Sequence, residues 1–353
     1  MERQSNLELL RIIAMIMVIT VHYVGHGRVL DNVEVFSLNF YVSNLMQAFT
    51  TFSVPIYVMI SAYFMCEKEF KLKHVFKIWI QVFFYSISIY LLTLALGLNE
   101  FSILQFIKNI LPIICNQYSF VTAYIMLLIL TPFLNKIIEV FDKGLYEKLV
   151  ITLIVMFFVL GAGLPINVVT SSYLTLIVVI YLITAYIKKY YKLNIKKEYY
   201  FFAFLASVIT IFIGRIIMYK LGLGFEASIF FAYNNLFVFS GTVSLFMFFS
   251  GLYIRSKLIN KIAKLTFGIY LIHDNNYVRE ILYDKILHVD KWIDSNVFII
   301  VAIISIGLIF ISCGIIELCR SKIFEEFRVN DLMCGLIVKI KSKINYLIKK
   351  IVM

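Results

Sequence analysis

Charge is what this sequence has least of. Asp, Glu, Lys and Arg together fill 15% of its 353 positions, against about 25% in ordinary soluble domains, and that excludes a water-soluble globule. Cysteine is sparse and unpatterned. Cys66, Cys115, Cys313, Cys319 and Cys334 stand without a CxxC or other ligand spacing, so they read as core filler and not as a disulfide framework or a zinc ribbon. The first apolar stretch lacks the cleavage site of a secretory leader and contains Arg11, so it reads as a retained membrane span. GxSxG and Walker A motifs are missing, as are HExxH and carboxylate pairs at useful spacing, which removes elbow hydrolases, P-loop enzymes, metalloproteases and glycosidases. No internal repeat is visible, which speaks modestly against a transporter, since many transporters are built from repeats.

What is present is apolar. Hydrophobic residues make up 61% of the chain and mean hydropathy is +0.90. Runs long enough to span a bilayer fall near residues 7–24, 43–65, 75–97, 119–135, 149–164, 172–187, 199–218, 228–252, 264–283 and 296–319. The ninth of these holds His273, Asp274, Arg279 and Glu280. Net charge is +12, but the basic residues sit in alternate connections, as the positive-inside rule expects. Those basic connections hold Lys68, Lys71, Lys73 and Lys77, then Lys188 to Lys197, then Arg255 to Lys264, and they are taken as cytoplasmic. The connections around Arg28, around Glu100 and between Pro165 and Ser172 carry few basic residues and are taken as outward; only the balanced 136–148 turn breaks the pattern. The expected architecture is an all-α, polytopic membrane bundle of about ten helices with both termini cytoplasmic. It comprises one transmembrane domain over 1–320 and a basic amphipathic cytoplasmic tail over 321–353 lying on the anionic inner leaflet. Residues 101–114 are expected along the outer surface. No nucleic-acid recognition module accompanies the positive charge, so nucleic acid is not expected as a partner. Abundant Ile, Lys, Asn, Phe and Tyr hint at AT-rich bacterial coding.

Two polar groups inside apolar runs point to function. Eleven residues of helix separate Arg11 from His22, a turn of about 1100° and a rise of about 16 Å, so both share one face. Intramembrane ionisable groups are functional candidates by default. Ser5 and Glu8 match a capping box opening this helix. The second group is Phe267-Gly-Ile-Tyr-Leu-Ile-His273-Asp274-Asn275-Asn276, where an imidazole and a carboxylate adjoin. Plainer readings stand beside these: Arg11 snorkelling to headgroups, His22 as an ordinary interfacial residue, and His273 and Asp274 as the end of a span. Ser61 reads as a hydroxyl bonded to its own backbone.

Taken in order, the motifs resemble a known family. Glu8-Leu-Leu-Arg11 through His22 resembles the Arg-x10-His signature of the membrane-bound acyltransferase family 3. Val54-Pro-Ile-Tyr-Val-Met-Ile-Ser61-Ala-Tyr-Phe resembles its Pro-containing second span. Gln117-Tyr-Ser-Phe-Val-Thr-Ala-Tyr124, running on to Thr131-Pro-Phe-Leu-Asn135, resembles its central region, and Leu265-Thr-Phe-Gly-Ile-Tyr-Leu-Ile-His273 its late motif. Ser119 stands where members usually carry Trp, and Ala62 where they carry Gly.

The resemblance implies transfer of an acyl group, acetyl above all, from cytoplasmic acyl-CoA to hydroxyls of surface or lipid-linked glycans in a bacterial plasma membrane. Arg11, helped by Lys71, Lys73 or Lys77, would hold the donor's phosphates. His22 would act as general base or transient acyl carrier. His273 and Asp274, with Asn275 and Tyr124, would bind or activate the acceptor. Acyl-CoA is the co-substrate, no metal is expected, and self-association stays open. The rival classes are a glycan or solute exporter and a catalytically silent scaffold.

Overall fold

The computed structural model describes residues 4–160, 173–191 and 195–329, with Leu332 and Gly335. Every regular element among the described residues is helical. Apolar chain in a bilayer has no water to satisfy its backbone, and a helix satisfies it within the segment. Eight helical segments are long and apolar enough to cross a membrane: Ser5–Asn32, Leu38–Met65, Leu72–Ala95, Ser119–Val140, Tyr173–Tyr190, Lys197–Lys220, Glu226–Ser250 and Phe298–Glu326.

The first consists of α1 (Ser5–His26) and a short turn, Val29–Asn32. The second is two helices, α2 (Leu38–Thr50) and α3 (Ser53–Met65), with Thr51 and Phe52 between them. Pro55 lies in the opening turn of α3, where backbone N–H groups have no intrahelical acceptor and a missing donor costs nothing. There follow α4 (Leu72–Ala95), the short α5 (Ile103–Ile110), α6 (Ser119–Val140) and α7 (Lys143–Ile154). Asp142 caps α7 by accepting from the Leu145 N–H at 3.0 Å. Then come α8 (Tyr173–Tyr190), α9 (Lys197–Lys220), α10 (Leu236–Ser250), α11 (Lys257–Ile262), α12 (Thr266–His273), α13 (Asn276–Glu280) and α14 (Phe298–Glu326).

The fifth and ninth apolar runs are the ones that do not form spanning helices among the described residues. The fifth gives α7 and a π-helical turn, Val155–Leu160; the outward connection expected at 165–172 lies outside the described residues. The ninth stops after α12, whose eight residues rise only about 12 Å against a hydrocarbon core of about 30 Å. Asn275 causes the break, because its side chain accepts from the Tyr277 N–H at 3.0 Å and so starts a new helix. This irregular backbone is tolerated because it is buried in protein, with Asp274 4% and Asn275 3% exposed.

The capping box also differs. The α1 N-cap is Gln4, with no side-chain cap, and Ser5 Oγ instead accepts from the Ser256 N–H at 3.1 Å. At the other end of the chain α14 continues past residue 320 to Glu326. The amphipathic pattern assigned to the tail, from Ile337 onward, lies outside the described residues, as does Lys192.

α1 packs against α2, α3, α10, α11, α12 and α14. It enters two apolar cores: Leu7, Leu10 and Ala14 join one, and Met15, Val18, Ile19 and Tyr23 the other. This central placing fixes where its polar residues face. α14, by contrast, leaves Ile303, Ile311 and Ile315 exposed, which suits a lipid-facing helix and not one in water.

Candidate active site

Five polar side chains from two stretches of the chain, α1 and residues 273–279, meet beside the C-terminal end of α1. His22 Nδ1 lies 3.0 Å from His273 Nε2 and 3.4 Å from Asp274 Oδ1. His26, one turn on from His22, donates from Nε2 to Asp274 Oδ1 at 3.2 Å. Arg279 donates to the same oxygen from Nε at 2.9 Å and Nη2 at 2.7 Å. Asp274 ends α12, where the helix dipole disfavours a carboxylate; the Arg279 guanidinium offsets that cost.

The hydrogen bonds fix which nitrogen is basic. A carbonyl only accepts, so His273 Nδ1, 2.7 Å from the Ile269 oxygen, carries the His273 proton. His273 Nε2 is then an acceptor, and with both rings neutral His22 Nδ1 must donate to it, with Asp274 as a second acceptor. That leaves His22 Nε2 unprotonated, and no hydrogen bond engages it among the described residues.

Aromatic residues wall the cluster. Tyr270 stands 6.4 Å from the His22 ring and 6.2 Å from that of Tyr118, so the motif ending at Tyr124 meets the motif ending at His273. Asn275 is engaged at both ends of its amide, donating to Tyr118 Oη at 2.7 Å and accepting from Tyr277. Tyr124 lies apart from the histidines: it stacks on Phe120 and turns its hydroxyl to Met65 Sδ at 3.9 Å. A cavity of about 440 Å³ opens beside the cluster, lined by Gly25, His26, Arg28, Arg279, Glu280 and Asp284.

Arg11 sits on the same continuous helix, three turns earlier, paired through Nη1 with Glu8 at 2.8 Å. Between Arg11 and His22 the shared face carries Met15 and Val18, which are 2% and 5% exposed, so apolar side chains fill that stretch. Lys71 is the N-cap position of α4 and Lys77 lies on that helix, whereas the basic α11, with Lys257 and Lys261, packs on α1, and Ser256 at its start bonds Ser5. Asn6 ties the start of α1 to the end of α10 by donating to the Phe249 carbonyl at 2.9 Å. Tyr57 has a buried hydroxyl with no hydrogen-bond partner among the described residues.

Sequence reasoning missed His26, whose four-residue offset from His22 puts both on one helix face. It also missed a buried ion pair. Glu317, 2% exposed, accepts from Tyr85 at 2.6 Å, Gln81 at 3.2 Å, and Arg320 at 2.8 and 2.6 Å. Two opposite charges three residues apart at the end of the tenth apolar run were the visible sign.

A helical bundle that crosses a membrane repeatedly and gathers linked histidines around a buried carboxylate beside an open cavity belongs to the class of polytopic membrane proteins with a polar centre. The family model described as an acyltransferase domain, that of acyltransferase family 3, matches residues 4–317. The chain belongs to that family and is a multi-pass membrane acyltransferase. No curated protein and no solved structure matches the chain.

Proposed function

We propose that this acyltransferase moves an acetyl group from cytoplasmic acetyl-CoA to a hydroxyl of a cell-surface or lipid-linked glycan in a bacterial plasma membrane. The observation that carries the reading is His22 Nδ1 set 3.0 Å from His273 Nε2 and 3.4 Å from Asp274 Oδ1, an arrangement that assigns the ring's proton to Nδ1 and leaves Nε2 as the basic nitrogen. A base so held takes the proton of the acceptor hydroxyl as its oxygen attacks the thioester carbonyl. The tetrahedral adduct then loses CoA thiolate, the C–S bond breaks, and the imidazolium returns its proton to the leaving sulfur. Asp274 and its neighbours act as the orienting third group of such a relay.

Arg11 supplies the forked cation for the donor's phosphates, sharing itself between them and Glu8. The pantetheine arm then follows the α1 face on which Met15 and Val18 pack, so donor binding requires those side chains to part. The cavity beside His26 and Arg28 admits the acceptor from the opposite side. The roles of Lys71, Lys73 and Lys77 are secondary here, because α11 lies closer to the start of α1. Tyr57 supplies a further hydroxyl on that path, and Tyr124 acts from the core wall, not on the acceptor.

The test is acetyl transfer from labelled acetyl-CoA to endogenous glycan in membranes carrying His22→Ala. The expected loss is about 10²-fold or more at unchanged protein level. Full product from that variant would end the assignment of His22.

A further inference from the structure

We propose that His22, His26 and Asp274 form a binding site for a divalent metal ion of the zinc class, and that its occupation switches acyl transfer off. His22 and His26 project from successive turns of α1, with ring centroids 4.9 Å apart. Each of His22, His26 and Asp274 offers one ligand atom, and these atoms lie within 4.8 Å of one another; His22 Nδ1 and His26 Nε2 both approach Asp274 Oδ1. Two of these separations, 3.4 and 3.2 Å, are those of ligand pairs in a tetrahedral zinc site, where bonds of about 2.0–2.1 Å put neighbouring ligand atoms about 3.3 Å apart. Two imidazoles and one carboxylate, with a fourth position open, is a ligand set that suits zinc.

The surroundings fit as well. His273 stands behind His22 with its Nδ1–H anchored on the Ile269 carbonyl at 2.7 Å, and orients the His22 ring from its Nε2, 3.0 Å from His22 Nδ1, in the manner of a residue that supports a ligand. His26 lines the cavity, which gives an ion its way in. The opposing charge is Arg279, which holds Asp274 Oδ1 at 2.7 Å. Its side chain is 33% exposed and lines the same cavity, so it can swing outward and leave the carboxylate to the metal.

Occupation has a defined chemical result. A metal on His22 Nδ1 takes that lone pair, and the ring's one proton must then reside on Nε2; the His26 proton moves likewise to its Nδ1. His22 Nε2 thereby becomes a donor and cannot accept the acceptor hydroxyl's proton. Metal binding stands on the geometry alone, while the switch rests on the transfer reading given above.

The experiment titrates tag-free purified protein with Co²⁺, following the visible absorption of a tetrahedral ion and its displacement by Zn²⁺, and in parallel measures acyl transfer. Saturable binding of a single ion is expected. His26→Gln and Asp274→Asn should each weaken it at least about tenfold. Arg279→Met should tighten it, a change that a misfolded variant does not produce. Zn²⁺ should inhibit the unaltered protein over the range in which it binds. Absence of saturable binding, or equal affinity in His26→Gln, overturns the site. Binding without inhibition in an active preparation overturns the switch. Binding in a preparation that transfers no acyl group keeps the site and rejects the transfer reading.

Discussion

His22 owes its chemistry to atoms on another element. Alone in an apolar helix it would be a ring of undefined tautomer; the Ile269 carbonyl, acting through His273, makes Nε2 the basic nitrogen. Asp274 matters for the same reason, and the conservative Asp274→Asn change tests it. An amide in that place offers an N–H toward His22 Nδ1, which favours the wrong tautomer and leaves Arg279 without its counter-charge. The expected result is a fall in kcat of about 10²- to 10⁴-fold with little change in KM for acyl-CoA. A change confined to KM would instead make Asp274 a binding residue. Arg11 is tested at the other end: Arg11→Lys keeps the charge but loses the fork, and one charge-assisted hydrogen bond is worth about 1.5–3 kcal/mol. KM for acyl-CoA should rise by roughly 10- to 100-fold at unchanged kcat, and an unaltered KM would reject phosphate recognition by this side chain. Both residues stood out in the sequence as charges or imidazoles within apolar runs. The pairing of Arg11 with Glu8 did not, because a three-residue offset permits a contact without requiring it.

Among the elements, α12 is the one that makes the site, and it is short by construction. Read as periodicity, residues 264–283 pass for a membrane span, since an apolar run counts every residue equally. What that reading overlooks is the Asn275 cap, a local hydrogen bond that ends one helix and opens the next. The break turns His273 and Asp274 inward to α1 instead of leaving them at an interface. α12 is seated by a close approach at Gly268, where a Cβ would collide with the Glu317 carboxylate. Gly268→Ala should therefore push α12 from α14 at a cost of about 1–3 kcal/mol, seen as a lower unfolding temperature in detergent together with reduced transfer. Adding Glu317→Asp, which shortens the opposing side chain, should restore part of both. Equal stability of Gly268→Ala and the parent would show that the contact does not position α12. The motif containing Gly268 was legible in the sequence, but its steric reason was not, because Glu317 lies some fifty positions away in the chain.

At the scale of the whole molecule the sequence announces the membrane plainly. The runs that became α1, α4, α6, α9 and α14 are apolar on every side or nearly so, and no other solvent accommodates them. Less legible were the interruptions, at Thr51 and Phe52 and at Asp274 and Asn275, since capping and packing decide them and mean hydropathy does not. The charge asymmetry of the connections predicts a direction for the bundle: the end bearing Arg11 and Lys257 inside, the cavity with Arg28 and Arg279 outside. The proposed reaction depends on that direction, because its donor is cytoplasmic and its acceptor is not. The check begins with a variant in which the five native cysteines are replaced, Cys66 and Cys313 by Ala because they are buried. Single cysteines are then introduced at Arg28 and at Lys68, and intact cells are treated with a membrane-impermeant maleimide. Arg28→Cys should label in intact cells, whereas Lys68→Cys should label only after permeabilisation. The reverse pattern would put the cavity and the donor-binding end on exchanged sides, and a cytoplasmic thioester would then meet the histidines without crossing anything.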